Sequence, residues 1–493
     1  FPDVFFDETG RRREDGGFDA VVGNPPWERI KLQENEFFGA RDPAIARAAR
    51  AADRKRLVAN LLTTNPALWA EYQAARHQAE AELRFVQQCG FFPLMGRGDT
   101  NLYAVFAERA LDLLNPTGRA GLLVPSGIAT DHTTQFFFQK LVHERRLAEV
   151  LDFENREAIF EDVHRSFKFS IFAMTGAAAP QSAVRAGFFL HEMAELADPE
   201  RTFELRPDDF ARFNPNTLTC PIFRRRRDYE LTAKIYDRVP VLVNLALGDA
   251  GNPWGVSFLR MFDMTNDSHL FRTAAELEDD GFWLGAGNVY SKGAEQYVPL
   301  YEGKMVQMYD HRAASVVVNA ANVHRPAQPV ATLLTEYERP DFSPVPQYWV
   351  SARSVRHRND GFEPSWWIGF KEITAPTNER TFIAAGLPAV GFGNKVPLLR
   401  IVPSTIPFAA CLLANCNAKV FDFTTRQKVG GQTLNFFIVE QLPILPPSIY
   451  DTPFHGIRIA DIITPRVLEL TYTAHDMRGF AEAVGYAGEP FAW

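Results

Sequence analysis

Cysteine is scarce in this chain, and the few residues present are not arranged to bind a metal. The four cysteines are Cys89, Cys220, Cys411 and Cys416. None belongs to a CxxC pair, and no cysteine–histidine spacing resembles that of a zinc site. The sequence therefore predicts no metal centre. Free thiols in this number are typical of a protein from a reducing, cytoplasmic compartment.

Long hydrophobic runs and an excess of positive charge are also lacking. No apolar stretch approaches the ~20 residues that a membrane span requires, and no signal peptide opens the chain, so we expect no membrane partner. The formal net charge is −8, which gives no global indication of nucleic-acid binding. A local basic surface would be enough for such binding. Arginine runs occur at residues 11–13 and 224–227, although isolated runs of this kind are also typical of solvated loops.

The length and composition indicate an ordinary globular protein with more than one domain. The chain has 493 residues, of which 46% are hydrophobic and 23% charged. This is more than one core normally holds, so we expect two or three domains. Because the chain opens on Phe1 rather than on Met, we also expect an interior or C-terminal portion of a longer polypeptide.

Helical and strand patterns alternate over the first 180 residues. Strands are predicted over residues 18–23, 147–155 and 167–176, with helices over 40–88, interrupted near Asn65-Pro66, and over 132–146. Residues 100–127 predict a helix, a Pro-Thr-Gly turn and a buried strand that ends at Pro125. This alternation favours an α/β layer with a mostly parallel sheet. The short link between the last two strands predicts an antiparallel pair at the sheet edge.

After residue 180 the composition shifts toward glycine, proline and aromatic residues, and the predicted strands become short. We therefore place a first domain at residues 1–180, a linker at 181–215, and an α+β domain at 216–493.

The stretch "FDAVVGNPPW" at residues 18–27 carries the clearest chemical pattern. In open α/β sheets, ligands bind at the carboxyl ends of strands, which is where Asn24 falls. Pro25 and Pro26 stiffen the loop, so the Asn24 amide and backbone carbonyls can point one way. These oxygens could accept both N–H bonds of an exocyclic amino group, while Trp27 stacks on its ring. A proline-rich turn is the alternative for the triplet in isolation.

The NPPW motif, "NLYAVFAERALDLLNPTGRAGLLVP" (101–125) and "EVLDFENREAIFEDVHRSFKFSIF" (149–172) together resemble the gamma-type adenine-N6 DNA methyltransferases of the Eco57I-like restriction-modification family. The resemblance implies that Asn24 and Pro25 bind the adenine amino group and that Trp27 stacks on the adenine. It further implies that Pro26 and Phe106 contact S-adenosylmethionine and that Phe160 takes the second face of a flipped base. Phe106 and Phe160 could instead be core aromatics.

The same resemblance implies a Gly-rich loop for the methyl donor, upstream of NPPW. Only seventeen residues precede the strand, so the first strands of a Rossmann-like sheet are expected to be absent. An upstream segment or a partner chain would then carry the loop. "LGAGNV" (284–289) and "VGFGNK" (390–395) are Gly-rich, but they are more typical of turns.

The second domain resembles the target-recognition part of the same family. The resemblance rests on segments 253–273, 297–312, 366–374 and 426–447, the last reading "RQKVGGQTLNFFIVEQLPILPP". Polar and cationic side chains can bond base edges and phosphates. The candidate DNA contacts are Arg426, Gln427, Lys428, Gln432 and Asn435, with Lys304 and Arg312 as weaker ones. Each of them alone is also typical of a solvated surface side chain.

Three hypotheses for the function stand at this point. The first is a portion of an adenine-N6 DNA methyltransferase from a restriction-modification or phage-defence system, which would bind S-adenosylmethionine and double-stranded DNA. The second is a non-catalytic DNA-recognition module that needs a separate donor-binding segment. The third is a methylase of an RNA or protein amide, against which the large recognition-like domain argues. Nuclease or helicase components are possible partners, but no nuclease motif is found in the chain.

Overall fold

The computed structural model describes residues 1–48, 51–98, 100–319, 327–360 and 364–493, which form two compact units. The first unit spans Phe1–Lys234 and the second spans Ile235–Trp493. The division between the units lies after Lys234, whereas the composition indicated a linker at residues 181–215. Residues from that segment form strands of the first unit, because they pair with a strand that lies earlier in the chain.

The first unit combines a six-stranded sheet with helices before, between and after its strands. Its strands are β1 (Phe18–Gly23), β2 (Leu114–Val124), β3 (Leu147–Glu154), β4 (Lys168–Thr175), β5 (Val184–Leu190) and β6 (Thr202–Leu205). Its helices are α1 (Pro2–Phe5), α2 (Glu34–Gly39), α3 (Pro43–Ala46), α4 (Ala51–Thr64), α5 (Pro66–Gln88), α6 (Leu102–Asp112), α7 (Gly127–Thr130), α8 (Gln135–His143) and α9 (Pro207–Phe213), and α10 (Arg226–Tyr236) crosses the division.

The break between α4 and α5 falls where the sequence predicts it. Asn65 caps α5 by accepting a hydrogen bond from the Leu68 backbone N–H at 3.2 Å. Pro66 follows at the first helical position, where its missing N–H costs no intrahelical bond. The cap and the proline together end one helix and begin the next.

The sheet has the strand order β1-β2-β4-β3-β5-β6. Four strands, β1, β2, β3 and β5, run in the same direction, and β4 is antiparallel to both of its neighbours. The predicted antiparallel pairing of β3 and β4 is confirmed. Its predicted place at the edge is wrong, because β5 and β6 extend the sheet beyond β3. The carboxyl ends of the four co-directional strands meet at one edge.

The predicted Pro-Thr-Gly turn is an irregularity inside β2. The β1–β2 register shifts between the pairs Phe18–Leu114 and Ala20–Arg119. The Asn115 amide donates to the Asp19 carboxylate at 2.6 Å and holds the irregularity against β1. Gly17, at φ +133°, passes so close that a Cβ there would lie 2.4 Å from the Asn115 nitrogen.

Aromatic residues fill the space between the sheet and α8. Phe137 and Phe138 of α8 are fully buried, with ring centres 6.5 and 6.4 Å from that of Phe172 in β4. Burying each such side chain contributes about 1.5–3 kcal/mol to folding. This packing fixes β4 in the middle of the sheet.

The second unit is α+β, as the sequence predicts. Its strands are β7 (Ser257–Leu259), β8 (Phe271–Arg272), β9 (Trp283–Leu284), β10 (Tyr290–Lys292), β11 (Glu295–Tyr301), β12 (Ala314–Val318), β13 (Ala327–Ala331), β14 (Tyr348–Ser351), β15 (Trp366–Phe370), β16 (Ala384–Pro388), β17 (Gly391–Phe392), β18 (Leu398–Arg400), β19 (Pro453–Phe454) and β20 (Ile457–Arg458). Its helices are α11 (Ala274–Asp279), α12 (Leu334–Tyr337), α13 (Ala352–Arg358), α14 (Ala409–Asn417), α15 (Lys419–Arg426), α16 (Phe436–Val439), α17 (Ile459–Thr471) and α18 (Arg478–Ala483).

Two sheets dominate the second unit. One has the order β8-β14-β11-β10-β9, with β17 parallel to β11, and the other has the order β16-β15-β18-β7. Helix α14 packs among the buried apolar residues beside the second sheet. Within the described parts of both units, no helix is long and apolar enough to cross a membrane.

Candidate functional site

The NPPW loop begins where β1 ends, at the edge where the co-directional strands finish. Residues 18–23 form a strand, as predicted, and Asn24 follows it directly. The Asn24 and Pro26 side chains are exposed, whereas Pro25 is buried and Trp27 is half-buried. Pro25 therefore anchors the loop while the Asn24 amide stays accessible.

Backbone pairing joins the NPPW loop to the start of α6. The Leu102 N–H donates to the Glu28 carbonyl at 2.9 Å, and the Ile30 N–H donates to the Thr100 carbonyl at 3.0 Å. The two motifs are far apart in sequence, and this pairing places them side by side. Phe106 lies on α6 and is 50% exposed, unlike the buried helix residues around it. The alternative of a core aromatic does not describe Phe106 in this unit.

Trp27 and Phe160 contact the same group of apolar side chains, the β3–β5 apolar cluster, which we define as Leu151, Phe153, Phe169 and Leu190. Trp27 packs against this cluster. The Phe160 ring meets Phe169 edge-on, with centres 5.1 Å apart, and Phe160 is 40% exposed. The two aromatics therefore do not lie in separate cores. Their placement on opposite walls of a base-binding cleft stays a prediction.

The Trp27 indole nitrogen is buried and has no hydrogen-bond partner among the described residues. A buried N–H without a partner is uncommon, since leaving it unpaired costs about 1–3 kcal/mol.

Asn155 holds the loop that carries Phe160. Its side chain is fully buried directly after β3. The Nδ2 group donates to the carbonyls of Phe160 and Val163, both at 2.8 Å. The Oδ1 atom accepts from the Phe160 N–H at 2.9 Å. One amide therefore fixes the backbone on both sides of the Phe160 carbonyl.

A buried carboxylate connects the ends of the middle strands. Asp152 in β3 accepts hydrogen bonds from the hydroxyls of Ser126, which follows β2, and of Ser170 in β4, the latter at 2.9 Å. Burial raises the pKa of Asp152, against the hydrogen bonds and the nearby Lys168, which lower it. Burial also lowers the pKa of Lys168. This group ties three strands together behind the site.

Sequence reasoning missed Asn155, Ser126 and Asp152. Each lies at or near the carboxyl end of a strand, which is the available signal, since ligands gather at such ends. Nothing in the residue types alone separates them from ordinary polar residues at strand ends.

The structure uses three of the five candidate DNA contacts internally. Gln427 and Lys428 are buried, and the Lys428 ammonium donates to the Gln441 carbonyl at 2.6 Å. Arg426 donates to the carbonyls of Pro376 and Glu379 and pairs with Asp422. The side chains of Gln432 and Asn435 remain exposed and half-buried, respectively.

The two weaker candidates also differ from each other. Arg312 is fully buried and donates to the carbonyls of Arg339, Tyr337 and Thr473. Lys304 is half-buried and pairs with Glu302 at 3.0 Å.

Both Gly-rich stretches lie in the second unit. Residues 284–289 connect β9 to β10 through a short 3₁₀ turn, and residues 390–395 contain β17. Neither follows a strand of the first unit's sheet, in agreement with their interpretation as turns and not as the donor loop.

The first unit therefore places the NPPW loop at the carboxyl end of β1 and pairs its backbone with the segment that leads into the NLYAVF helix α6. Residues 92–160 match the family model described as Eco57I restriction-modification methylase. The match covers α6 to β3 and ends at Phe160, and it confirms the family resemblance over that segment. No curated protein matches the sequence.

Solved structures that this chain matches include restriction-modification enzymes. The type ISP enzyme LlaGI, solved as a nuclease-deletion mutant with a DNA substrate mimic, is 10% identical with a TM-score of 0.38, covering 87% of this chain and 41% of its own. The type IIL enzyme MmeI, solved with DNA, is 11% identical with a TM-score of 0.35, covering 82% and 52%.

A protein from Listeria monocytogenes, assigned as a class I S-adenosylmethionine-dependent methyltransferase, is 16% identical with a TM-score of 0.17, covering 21% of this chain and 31% of its own. In each case the alignment takes in less than two thirds of the other chain.

Proposed function

We propose that this chain is a portion of an adenine-N6 DNA methyltransferase from a restriction-modification or phage-defence system. The observation that carries the proposal is the exposed Asn24 at the end of β1, followed three residues later by Trp27, which shares the β3–β5 apolar cluster with Phe160. A cytoplasmic location is part of the proposal.

The proposed chemistry is binding and orientation of one amino group. Asn24 Oδ1 and the Pro25 carbonyl would each accept a hydrogen bond from one N–H of the adenine N6 amino group. These hydrogen bonds draw the nitrogen lone pair out of conjugation with the ring and direct it at the methyl donor. Trp27 would hold the ring plane. The proton that N6 loses on methylation would pass to water, since no strong base is exposed in the NPPW loop itself.

S-adenosylmethionine supplies an electrophilic methyl group when bound. The residues that would hold it here are Pro26 and Phe106, whose side chains are both exposed. Both side chains are apolar, so they fit an apolar part of such a molecule. The pairing of Leu102 with Glu28 keeps the NPPW loop beside α6, so one molecule could contact both residues. These two residues would make up only one wall of the donor site.

The remaining wall would come from an upstream segment or a partner chain. Strand β1 is the last in the sheet, and no described strand pairs with its outer edge. Val22 is 87% exposed even though it lies in an apolar strand. Further strands that carry the Gly-rich loop would pair with this edge and cover Val22.

A base inside a duplex cannot reach the end of β1, so the adenine would have to be flipped out. Extrusion costs roughly a few kcal/mol. Stacking contributes about 1–3 kcal/mol per base, so Trp27 and Phe160 could offset this cost.

The second unit would recognise the DNA, with Gln432 and Asn435 as the accessible members of the predicted set. Nuclease or helicase components are proposed as partners in the complete system.

One observation favours the second hypothesis, a non-catalytic recognition module. Across the described part of the first unit, no GxG stretch follows a strand of the sheet. The chain by itself would then bind DNA without transferring a methyl group.

Transfer of a radiolabelled methyl group to duplex DNA tests the proposal. The full polypeptide that contains this chain should methylate adenine, and Asn24→Ala should abolish transfer while DNA binding is retained, because phosphate contacts dominate affinity. Asn24→Asp keeps an acceptor and should retain part of the activity. Asn35→Ala, an exposed asparagine on α2, is the matched control. Wild-type turnover in Asn24→Ala would refute the catalytic assignment, and DNA binding without any transfer would favour the recognition module.

A further inference from the structure

A cavity of about 350 Å³ lies in the second unit where β11, β15 and β17 end. Its lining includes Met264, Glu302, Lys304, Lys371, Ile373 and Lys395. Three lysines in one cavity are unusual, since buried or half-buried charges are normally paired.

Three of the four sequence segments that resemble a recognition domain line this cavity, and the fourth pairs with one of them. Met264 comes from the first segment, Lys304 from the second and Lys371 from the third. The fourth segment joins through its backbone, because the Thr374 N–H donates to the Gln432 carbonyl at 3.0 Å and the Leu434 N–H donates to the Glu372 carbonyl at 2.8 Å. Gln432 and Asn435 are thereby placed beside the third segment.

Two of the three lysines are neutralised within the protein. Lys304 pairs with Glu302 at 3.0 Å, and Lys395 pairs with Glu372 at 2.8 Å. Glu372 is nearly fully buried and also pairs with Arg260. Arg260 in turn donates to the Asn435 side-chain oxygen at 3.2 Å.

Lys371 is the lysine that remains. Its side chain has no ion pair or hydrogen bond with any of the described residues, and burial lowers the pKa of its ammonium. The four cations Arg260, Lys304, Lys371 and Lys395 face two carboxylates, which leaves a local excess of positive charge in a chain of net charge −8.

We propose that this cavity binds a phosphodiester of the DNA backbone through Lys371, next to the base edges that Gln432 and Asn435 would face. The inference rests on the proposed function, because it takes duplex DNA as the partner. A lysine ammonium is a compact point charge that suits a phosphate, and phosphate contacts fix the register of a protein on its duplex. The ion pairs of Glu302 and Glu372 hold the cavity walls, so among the described lysines of the lining it is Lys371 that can meet the anion.

Salt-dependent binding of a labelled random-sequence duplex to the full chain tests this inference. Lys371→Gln should weaken binding about tenfold, the loss expected for one charged hydrogen bond. It should also make the slope of log affinity against log salt less negative by about 0.9, the value for one lost phosphate contact. Lys419→Gln is the matched control, because Lys419 is an exposed lysine at the start of α15 in the same unit.

Chemical modification gives a second readout. Lys371 should react readily with an acylating reagent near neutral pH, because its lowered pKa leaves more of the amine unprotonated. Bound duplex should protect Lys371 and leave Lys419 reactive. Lys371→Arg should restore both the affinity and the salt slope in large part.

The outcomes separate this inference from the proposed function. If the wild-type chain binds duplex DNA but Lys371→Gln behaves like Lys419→Gln, the phosphate site is refuted while the methyltransferase proposal stands. If Lys371→Gln shows the expected loss but no methyl transfer is found in the full polypeptide, the DNA site stands and the catalytic assignment falls. No binding of any duplex at low salt would overturn both.

Discussion

Removing the Asn155 side chain should release the loop that carries Phe160. The buried amide makes three hydrogen bonds of 2.8–2.9 Å to the backbone of residues 160 and 163. In Asn155→Ala the Phe160 N–H and two carbonyls lose this partner. An unpaired buried polar group costs about 1–3 kcal/mol, and the Phe160 carbonyl keeps a 3.2 Å bond from the Val163 N–H. We therefore expect a local cost of about 3 kcal/mol.

Hydrogen exchange at the Phe160 amide measures this cost directly. A loss of about 3 kcal/mol in local stability corresponds to roughly a hundredfold faster exchange, if the amide opens locally. Asn155→Asp should be at least as disruptive at neutral pH, because a carboxylate oxygen would then face two carbonyls. Both variants should also reduce base flipping if Phe160 stacks on the base.

Asn288→Ala is the matched control for Asn155→Ala. The Asn288 amide likewise donates to two backbone carbonyls, those of Ser343 and Pro344, but in the second unit. Exchange should rise near residues 343–345 and stay unchanged at Phe160. An unaltered exchange rate at Phe160 in Asn155→Ala would show that the loop is held by other contacts and would refute the reasoning.

Two further predictions concern Trp27 and Lys428. Trp27→Ala should lower the equilibrium constant for base flipping about 5- to 150-fold, in line with about 1–3 kcal/mol of lost stacking, while duplex binding changes little. The loss should appear as lower fluorescence of 2-aminopurine at the target position. Trp283→Ala, which replaces an exposed tryptophan in the second unit, should leave flipping and binding unchanged. Burial lowers the pKa of Lys428 well below its usual value, so the unfolded state binds more protons and wild-type stability should rise with pH below 10.5. In urea titrations, the free energy of unfolding of the wild type should therefore rise relative to that of Lys428→Met as the pH increases toward 10.5, because the variant lacks this titrating group. A difference that does not change with pH would contradict the assigned ionisation.

Local signals in the sequence were sufficient for the elements around the site. The apolar run that ends in Gly23 predicts β1 and the position of Asn24, and Asn65-Pro66 predicts the break before α5. These features depend on neighbouring residues, so the sequence displays them directly.

Features that depend on distant residues could not be predicted. Strand β5 joins the sheet by pairing with β3, and β6 joins it by pairing with β5, and nothing in their own composition shows it. Lys428 and Gln427 are buried although their residue types are typical of surfaces, and Lys428 finds its acceptor thirteen residues away, at the Gln441 carbonyl. The partnership of Asn155 with Phe160 likewise depends on how the loop folds back.

Among the described residues no strand pairs with the outer edge of β1, which has a consequence for this polypeptide during synthesis and purification, whenever that edge is uncovered. An unpaired strand edge is a template for association with other chains, and the exposed Val22 adds apolar surface to it. Strand β1 has only six residues, and Pro25 and Pro26 follow almost at once. Prolines cannot donate ladder hydrogen bonds, so they stop a foreign strand from extending its pairing past Gly23. The dipeptide that would shape a reactive loop would thus also act as a gatekeeper against aggregation.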